Sequence, residues 1–202
     1  MIGKNATLVL ASASSARARL LTEAGLIFSQ APAHVDESVI KDEMAARGTP
    51  PEDVAMALSE KKALKTGAEH PGTVVIGADQ MLECGGRLYD KPMNRDDARR
   101  QLRALRGNTH RLISAVCIVQ EETVLWRHVD HARMTMRNFS DGFLEQYLER
   151  AGQAVLGSVG VYHLEGLGMQ LFEKVDGDYF TVLGLPMLPL LGYLREKGVI
   201  DS

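Results

Sequence analysis

The chain has 202 residues, of which 45% are hydrophobic and 24% are charged, with a formal net charge of -3 at pH 7. This composition is typical of a globular protein with a sizeable core, and it argues against a disordered chain. The acidic balance and an aromatic content of 5% disfavour a dedicated nucleic-acid binder.

Strand and helix patterns alternate along the chain, which predicts an α/β fold in a single domain over residues 1–202. The first strand is expected near Thr7 to Ala11, followed by a helix that a serine caps and Gly25 ends. "LIFSQAPAHV" predicts a second strand. "DES" then opens a helical stretch that runs up to Gly48.

"TPPEDVAMALSEKKALKTGAEH" is the clearest helical pattern in the chain. Thr49 is the expected N-cap, Pro50 fits the first helical position, and Glu52 completes a capping box. Gly67 is expected to end this helix. The next strand, "TVVIGAD", is expected to end at Asp79.

The second half of the chain continues the alternation. "QMLECGGRLYDKP" predicts a hairpin that turns at Gly85 and Gly86, and Asn94 caps the helix after it. Two long strands follow, around His110 to Val119 and Val124 to Arg137. The last predicted elements are the helix "SDGFLEQYLERAG", the strand "MQLFEKVDGDY" and the helix "PMLPLLGYLREKG".

The stretch "LVLASASSARARLLTEAG" places small polar residues where a strand meets a helix. The free backbone N–H groups and the positive dipole end of a helix N-terminus favour a phosphate there. Ser12, Ser14 and Ser15 add hydroxyl donors, and Arg17 could bind an anion through two N–H groups. The alternative is a capped helix with a solvated arginine.

Three carboxylates could perform chemistry. Asp36 and Glu37 lie between a strand and a helix, and Asp79 lies at the predicted strand end, where ligands of α/β proteins usually bind. Two carboxylates from separate loops could hold Mg²⁺, and one could accept a proton from water. Helix capping and a turn are the structural alternatives.

Two lysines complete the set of candidate residues. Lys62 lies on the long helix, and Lys91 precedes a proline that holds the backbone extended. A surface position is the alternative for both. His128 and His131 lie on a strand pattern without a third ligand, and we interpret them as surface residues.

Cysteine content and hydropathy bear on the expected location. Cys84 and Cys117 are too few for a zinc motif, and free thiols are typical of a reducing cytoplasm. No stretch approaches the roughly 18 apolar residues of a membrane span, and no secretory leader pattern is present. We therefore expect a cytoplasmic protein without membrane contact.

Together these segments resemble the Maf family of nucleotide pyrophosphatases over essentially the whole chain. The resemblance is carried by "LVLASASSARARLLTEAG", "HVDES", "LSEKKA", "VIGADQ", "YDKP", "LRALRGNTHRLISAV", "VGVYHLEGLG" and "DGDYFTVLGLP". It implies hydrolysis of a nucleoside triphosphate to the monophosphate and pyrophosphate with a divalent metal, Mg²⁺ or Mn²⁺. It also implies an elongated mixed central sheet flanked by helices, two lobes with a cleft, a likeness to inosine triphosphate pyrophosphatases, and a homodimer.

The resemblance also implies a role for each matching residue. Asp79 is the general base and a metal ligand, and Glu37 is a metal ligand or a second acid. The triphosphate contacts are Arg17, Lys62 and Lys91, and the phosphate loop is lined by Ser12 and Ser14.

One departure from the family pattern concerns the loop, where Ser15 and Ala16 replace the usual Pro-Arg pair. Three positions that sort family subgroups by substrate are Ala16, Gln80 and Glu165 here. The last two match the 7-methyl-GTP group, and a carboxylate at Glu165 could accept hydrogen bonds from a guanine edge. Ala16, however, supplies no aromatic surface for a cationic base, and a broader range of nucleotides is the alternative to a modified purine.

Two functions from different classes therefore remain. The first is a hydrolase that removes noncanonical or modified nucleotides. The second is a nucleotide-binding regulator of septum formation with little turnover. A base such as Asp79 favours the enzyme, since a binding protein does not need one.

Overall fold

The computed structural model describes residues 6–201, which form one seven-stranded sheet together with helices. The strands are β1 (Leu8–Leu10), β2 (Phe28–Gln30), β3 (Val74–Cys84), β4 (Arg87–Tyr89), β5 (Thr109–Gln120), β6 (Thr123–Met136) and β7 (Phe172–Asp176). The α-helices of the described range are α1 (Ser15–Glu23), α2 (Glu37–Ala46), α3 (Pro51–Glu69), α4 (Arg95–Leu105), α5 (Asp141–Ala151), α6 (Tyr179–Val182) and α7 (Met187–Glu196). Short 3₁₀ turns lie at Ala154–Gly157, Val159–Val161 and Leu167–Leu171.

The sheet is mixed, with the strand order β2-β1-β3-β5-β6-β7 and with β4 paired to β3. Strand β1 runs parallel to both β2 and β3, and α1 makes the crossover between β1 and β2. The β3–β4 and β6–β7 pairs are antiparallel. The predicted α/β class with a mixed sheet and helices is confirmed.

The chain divides into two compact units. The first unit comprises Met1–Asp79, Ser114–Asp130 and Gly184–Ser202. Within it, Val9, Val75 and Cys117 are among the residues of a buried apolar cluster. The second unit comprises Gln80–Ile113 and His131–Leu183, and α4, α5 and the 3₁₀ turns contribute Leu102, Leu148 and Val161 to its buried apolar cluster.

Helix caps and the hairpin turn follow the sequence prediction. The side chains of Ser14, Asp36 and Asn94 accept hydrogen bonds from backbone N–H groups in the first turns of α1, α2 and α4. Gly85 and Gly86 both have positive φ, 59° and 78°, as the two-residue turn between antiparallel strands requires. No helix among residues 6–201 combines the length and the apolarity needed to cross a bilayer.

The predicted start of α3 is wrong by one residue. The helix begins at Pro51, and Pro50 is the N-cap residue with an extended backbone (φ -57°, ψ 145°) and no side-chain cap bond. A residue before proline is pushed out of the helical region, so Pro51 prevents Pro50 from being the first helical residue. Thr49 is therefore not the N-cap.

The predicted end of α3 is also wrong, because Gly67 lies inside the helix. A Cβ atom at Gly67 would lie 2.8 Å from the backbone oxygen of Glu121. The glycine therefore serves close packing against the β5–β6 turn, and the helix continues to Glu69.

Strand β3 does not end at Asp79 as predicted. It continues to Cys84, because its second half pairs with β4 from Leu82 to Cys84. Its parallel neighbour β1 does end early, with Leu10 opposite Ile76. Asp79 therefore lies within β3 but beyond the carboxyl end of β1.

Gly77 allows α3 to approach β3, and we predict that Gly77→Ala lowers the free energy of unfolding by about 2 kcal/mol. An added Cβ would collide with the Ser59 backbone oxygen and would lie 2.7 Å from Ala63 Cβ and 2.9 Å from Cys117 Sγ. Denaturant unfolding measures the change. Gly192→Ala in α7 is the control, since no atom lies within 4 Å of its Cβ position. A Gly77→Ala variant as stable as this control would contradict the packing argument.

A buried histidine gives the second unit a pH dependence. His110 is 1% exposed, and its Nε2 lies 2.8 Å from the Tyr162 hydroxyl. Burial disfavours the imidazolium and lowers the pKa of His110 to about 4. Between that pH and about 6.5, the unfolded chain binds a proton at this position that the folded chain does not.

We therefore predict that acidification from pH 7 to pH 4 removes about 3 kcal/mol of stability through His110. The measurement is the free energy of unfolding against pH for wild type and His110→Asn. The difference between the two curves should shrink or reverse as the pH falls. His131→Asn, at an exposed position of the same unit, should keep the wild-type slope. Parallel curves for wild type and His110→Asn would contradict the attribution of this pH dependence to His110.

Candidate active site

The loop between β1 and α1 is held in place by its own serines. Ser12 Oγ accepts hydrogen bonds from the Ser14 backbone N–H at 3.2 Å and from Arg17 Nη1 at 3.0 Å. Ser14 Oγ accepts from the Arg17 backbone N–H at 3.3 Å and caps α1. Because each of these contacts uses the oxygen as an acceptor, each hydroxyl keeps its hydrogen to donate.

Arg17 is buried and joins three segments of the first unit. Its Nε donates to the Gly184 carbonyl at 2.8 Å, and its Nη1 donates to the Ala78 carbonyl at 2.9 Å as well as to Ser12. Burial lowers the pKa of Arg17, while the charges of Asp79 and Glu37 act in the opposite direction. The guanidinium therefore fixes the loop between β1 and α1 next to Ala78, the β3 residue that precedes Asp79.

Lys62 brings the two predicted catalytic carboxylates together. Its Nζ lies 2.6 Å from Asp79 Oδ1 and 2.7 Å from Glu37 Oε1. The three residues come from three different elements, α3, β3 and the first position of α2. The side chains of Lys62 and Asp79 are 12% and 9% exposed, whereas that of Glu37 is 41% exposed.

The environment of Asp79 suits a proton acceptor. Burial raises the pKa of Asp79, and the nearby charges of Lys62 and Arg17 partly oppose this shift. Glu37 raises the pKa of Asp79 further by like-charge repulsion. A carboxylate with a raised pKa is a stronger base toward a bound water molecule than an exposed aspartate.

Glu37 and Asp79 also fit a hydrated divalent cation. Both carboxylates reach one ammonium group, so their oxygens converge on the same position, and oxygen donors are what Mg²⁺ prefers. Within residues 6–201 no group of three or more histidine, cysteine or acidic side chains could hold a metal ion. Two protein carboxylates would leave the other positions to water and substrate phosphates, which is usual for Mg²⁺.

The remaining predicted site residues are divided between the two units. Ala16 is half-buried on α1 in the first unit, and Lys91, Gln80 and Glu165 belong to the second unit. Lys91 is exposed after β4, and Pro92 next to it is buried. Gln80 Nε2 donates to the Thr181 and Val182 carbonyls, both at 3.1 Å.

A set of buried polar contacts in the second unit was not predicted from the sequence. His110 contacts the Tyr162 hydroxyl, and the Tyr147 hydroxyl donates to the Val161 carbonyl at 2.8 Å. His110 belongs to the "GNTH" segment that carried the resemblance, which is the one signal the sequence offers. The interpretation of His128 as a surface residue is wrong, because its half-buried ring stacks on Trp126 with a centroid distance of 5.7 Å.

We predict that Lys62→Met lowers the free energy of unfolding by about 3 kcal/mol, because it leaves the buried Asp79 without its ammonium partner. The loss should be larger at pH 8 than at pH 5. Lys62 holds the pKa of Asp79 down, so its removal favours protonation, which neutralises Asp79 at the lower pH. Denaturant unfolding at both pH values measures the loss in free energy of unfolding.

Lys61→Met is the matched control, since Lys61 neighbours Lys62 on α3 but is exposed. Its effect should stay within about 0.5 kcal/mol at both pH values. Equal losses of unfolding free energy in the two variants would contradict a stabilising role of the ion pair between Lys62 and Asp79.

Comparison with known proteins gives this cluster a context. A "nucleoside triphosphate pyrophosphatase" of Paramagnetospirillum magneticum is 54% identical over 94% of this chain and 98% of its own length. A "7-methyl-GTP pyrophosphatase" of Rhizobium etli is 50% identical over 96% of this chain and 98% of its own length. A solved dITP/XTP pyrophosphatase of Mycobacterium abscessus covers 95% of this chain and 94% of its own at 14% identity and a TM-score of 0.37, too low for a functional inference. The model of the Maf-like protein family matches residues 7–197, and the chain belongs to this family.

Proposed function

We propose that this chain hydrolyses a nucleoside triphosphate to the nucleoside monophosphate and pyrophosphate. The observation that carries the proposal is the Lys62 ammonium held between Asp79 and Glu37. A base, a second acid and a cation converge within the first unit, beside a helix N-terminus that suits phosphate. Relatives that share about half of the residues bear pyrophosphatase names, which supports this reaction.

Asp79 acts as the general base. It accepts a proton from water while the water oxygen forms a bond to the α-phosphorus, and the bond from that phosphorus to the α,β-bridging oxygen breaks. Pyrophosphate leaves with the bridging oxygen. Because the covalent change is small, catalysis rests on positioning and on charge stabilisation.

The chain's own cations balance the charge that develops on the phosphate oxygens. Lys62 lies next to the base, and Arg17 adds a buried positive charge behind the loop. The hydroxyls of Ser12 and Ser14 donate hydrogen bonds to phosphate, and Lys91 adds a further contact to the triphosphate. These roles come from the family resemblance for each residue.

A divalent cation, Mg²⁺ or Mn²⁺, would be held by Glu37 and Asp79. It would supply charge neutralisation at the phosphates and polarise the attacking water.

The substrate class follows from the relatives and from two residues. Gln80 and Glu165 match the 7-methyl-GTP group of the family, and several relatives at about the same identity are named 7-methyl-GTP pyrophosphatases. We therefore propose a modified purine nucleotide as substrate. Cys84 and Cys117 are free thiols, which is consistent with a proposed cytoplasmic location.

The test is pyrophosphate release from 7-methyl-GTP, GTP, ITP, dTTP and UTP with Mg²⁺. We expect preferential release from 7-methyl-GTP and a loss of about 10³-fold in kcat for Asp79→Asn, because the water loses its proton acceptor. Asp42→Asn on α2, at an exposed position, should keep the wild-type rate.

Two outcomes would overturn parts of this proposal. An Asp79→Asn variant with a near wild-type rate would remove Asp79 from the base role. Tight nucleotide binding without pyrophosphate release from any of the five compounds would favour a regulatory protein over an enzyme.

A further inference from the structure

Segment 159–168 of the second unit holds a backbone conformation that its own residues disfavour. Val161 has φ +64° and is fully buried. A β-branched residue rarely adopts this left-handed region. Such a conformation persists only where the surrounding structure enforces it, and it occurs often at functional sites.

Two buried hydroxyl groups hold this strained turn. The Tyr147 hydroxyl, from α5, donates to the Val161 carbonyl at 2.8 Å. The Tyr162 hydroxyl lies 2.8 Å from His110 Nε2, on β5. The Tyr162 ring also packs edge-on against Phe172 at a centroid distance of 4.7 Å. Bonds from two different elements therefore fix adjacent residues of the turn.

Glycines close the turn at both ends. Gly160 has φ +77°, and a Cβ there would lie 2.6 Å from Leu82 Cδ1. A Cβ on Gly168 would lie 2.9 Å from Tyr162 Cβ and would also collide with the His163 carbonyl. No larger side chain fits at either position without movement of its neighbours.

Glu165 lies inside this closed segment. It is three residues after Tyr162, in a turn that the Gly166 N–H closes on the His163 carbonyl at 3.2 Å. In the proposed function Glu165 contributes to recognition of the nucleobase. The inference made here rests on that proposed role. We infer that Tyr147, Tyr162 and His110 are positioning residues that fix Glu165 and thereby set the choice of base.

The physical reason is the steep dependence of a hydrogen bond on geometry. An acceptor discriminates between bases only if it stays within a few tenths of an ångström of its position. The turn at Val161 would relax to a more favourable backbone conformation if its two side-chain bonds were absent. Relaxation would displace Glu165 and reduce the discrimination between nucleobases. The Asp79 cluster in the first unit would keep its own contacts.

The experiment uses Tyr147→Phe and Tyr162→Phe, each of which removes one hydroxyl and keeps the ring. The control is Tyr193→Phe, a buried tyrosine of the first unit whose ring stacks on Trp126. For each protein, kcat/KM is measured with 7-methyl-GTP, GTP, ITP, dTTP and UTP. The readout is the ratio of the best nucleotide to the second best for the wild-type enzyme.

This ratio separates positioning from general destabilisation. Loss of folded enzyme lowers both values by the same factor and leaves their ratio unchanged. We expect each tyrosine variant to lower the ratio about five-fold. The Tyr193→Phe variant should keep the wild-type ratio. If one variant fails to fold, the other still gives the readout.

The outcomes distinguish this inference from the function on which it rests. Selective wild-type hydrolysis with unchanged ratios in both variants would overturn the inference and leave the pyrophosphatase standing. Wild-type hydrolysis without discrimination among bases would do the same. Failure of the wild type to release pyrophosphate from any of the five nucleotides would overturn both.

Discussion

The candidate site depends on one lysine ammonium shared by two carboxylates. Asp79 and Lys62 are largely removed from water, and a buried carboxylate without a partner would be strongly unfavourable. Their separation of 2.6 Å and the second contact, from Lys62 to Glu37, compensate for the lost hydration. The positions of α2, α3 and β3 relative to one another in the first unit are therefore constrained by one charged cluster.

Gly77 shows how the sequence makes this contact geometrically possible. Side chains alternate along a strand, so Gly77 and Asp79 lie on the same face of β3. At Gly77 the strand meets α3 so closely that no Cβ fits beside Ser59 and Ala63. Two residues further on, the same close approach brings Lys62, which neighbours Ala63 on the helix, to Asp79. The absence of a side chain at Gly77 thus allows Lys62 to reach Asp79.

The local parts of this arrangement could be predicted from the sequence, and the long-range parts could not. Capping by Ser14, Asp36 and Asn94 depends on a few neighbouring residues, which is why these helix starts were predicted well. The predicted ends of α3 at Gly67 and of β3 at Asp79 were wrong because a turn at Glu121 and strand β4, which lie elsewhere in the sequence, decide how far these elements run.

The same distinction applies to the candidate site of the first unit and to the buried tyrosines of the second unit. Residue type and local context were enough to identify Glu37, Lys62 and Asp79 as candidates one by one. Their shared contact needs the packing of three elements. The bond from His110 to Tyr162 joins residues 52 positions apart, and no periodicity in the sequence indicates it.

Each unit holds one unfavourable feature that its surroundings maintain. In the first unit it is the desolvated carboxylate of Asp79, and in the second it is the left-handed backbone of buried Val161. Neither feature would persist in isolation: Asp79 Oδ1 accepts a hydrogen bond from Lys62 on α3, and the Val161 carbonyl accepts one from Tyr147 on α5. An apolar residue at Asp79 would avoid the cost of desolvating a carboxylate, and a glycine at Val161 would avoid the left-handed backbone strain of a β-branched residue. The presence of both features is therefore better explained by a demand on reactivity in one unit and on geometry in the other.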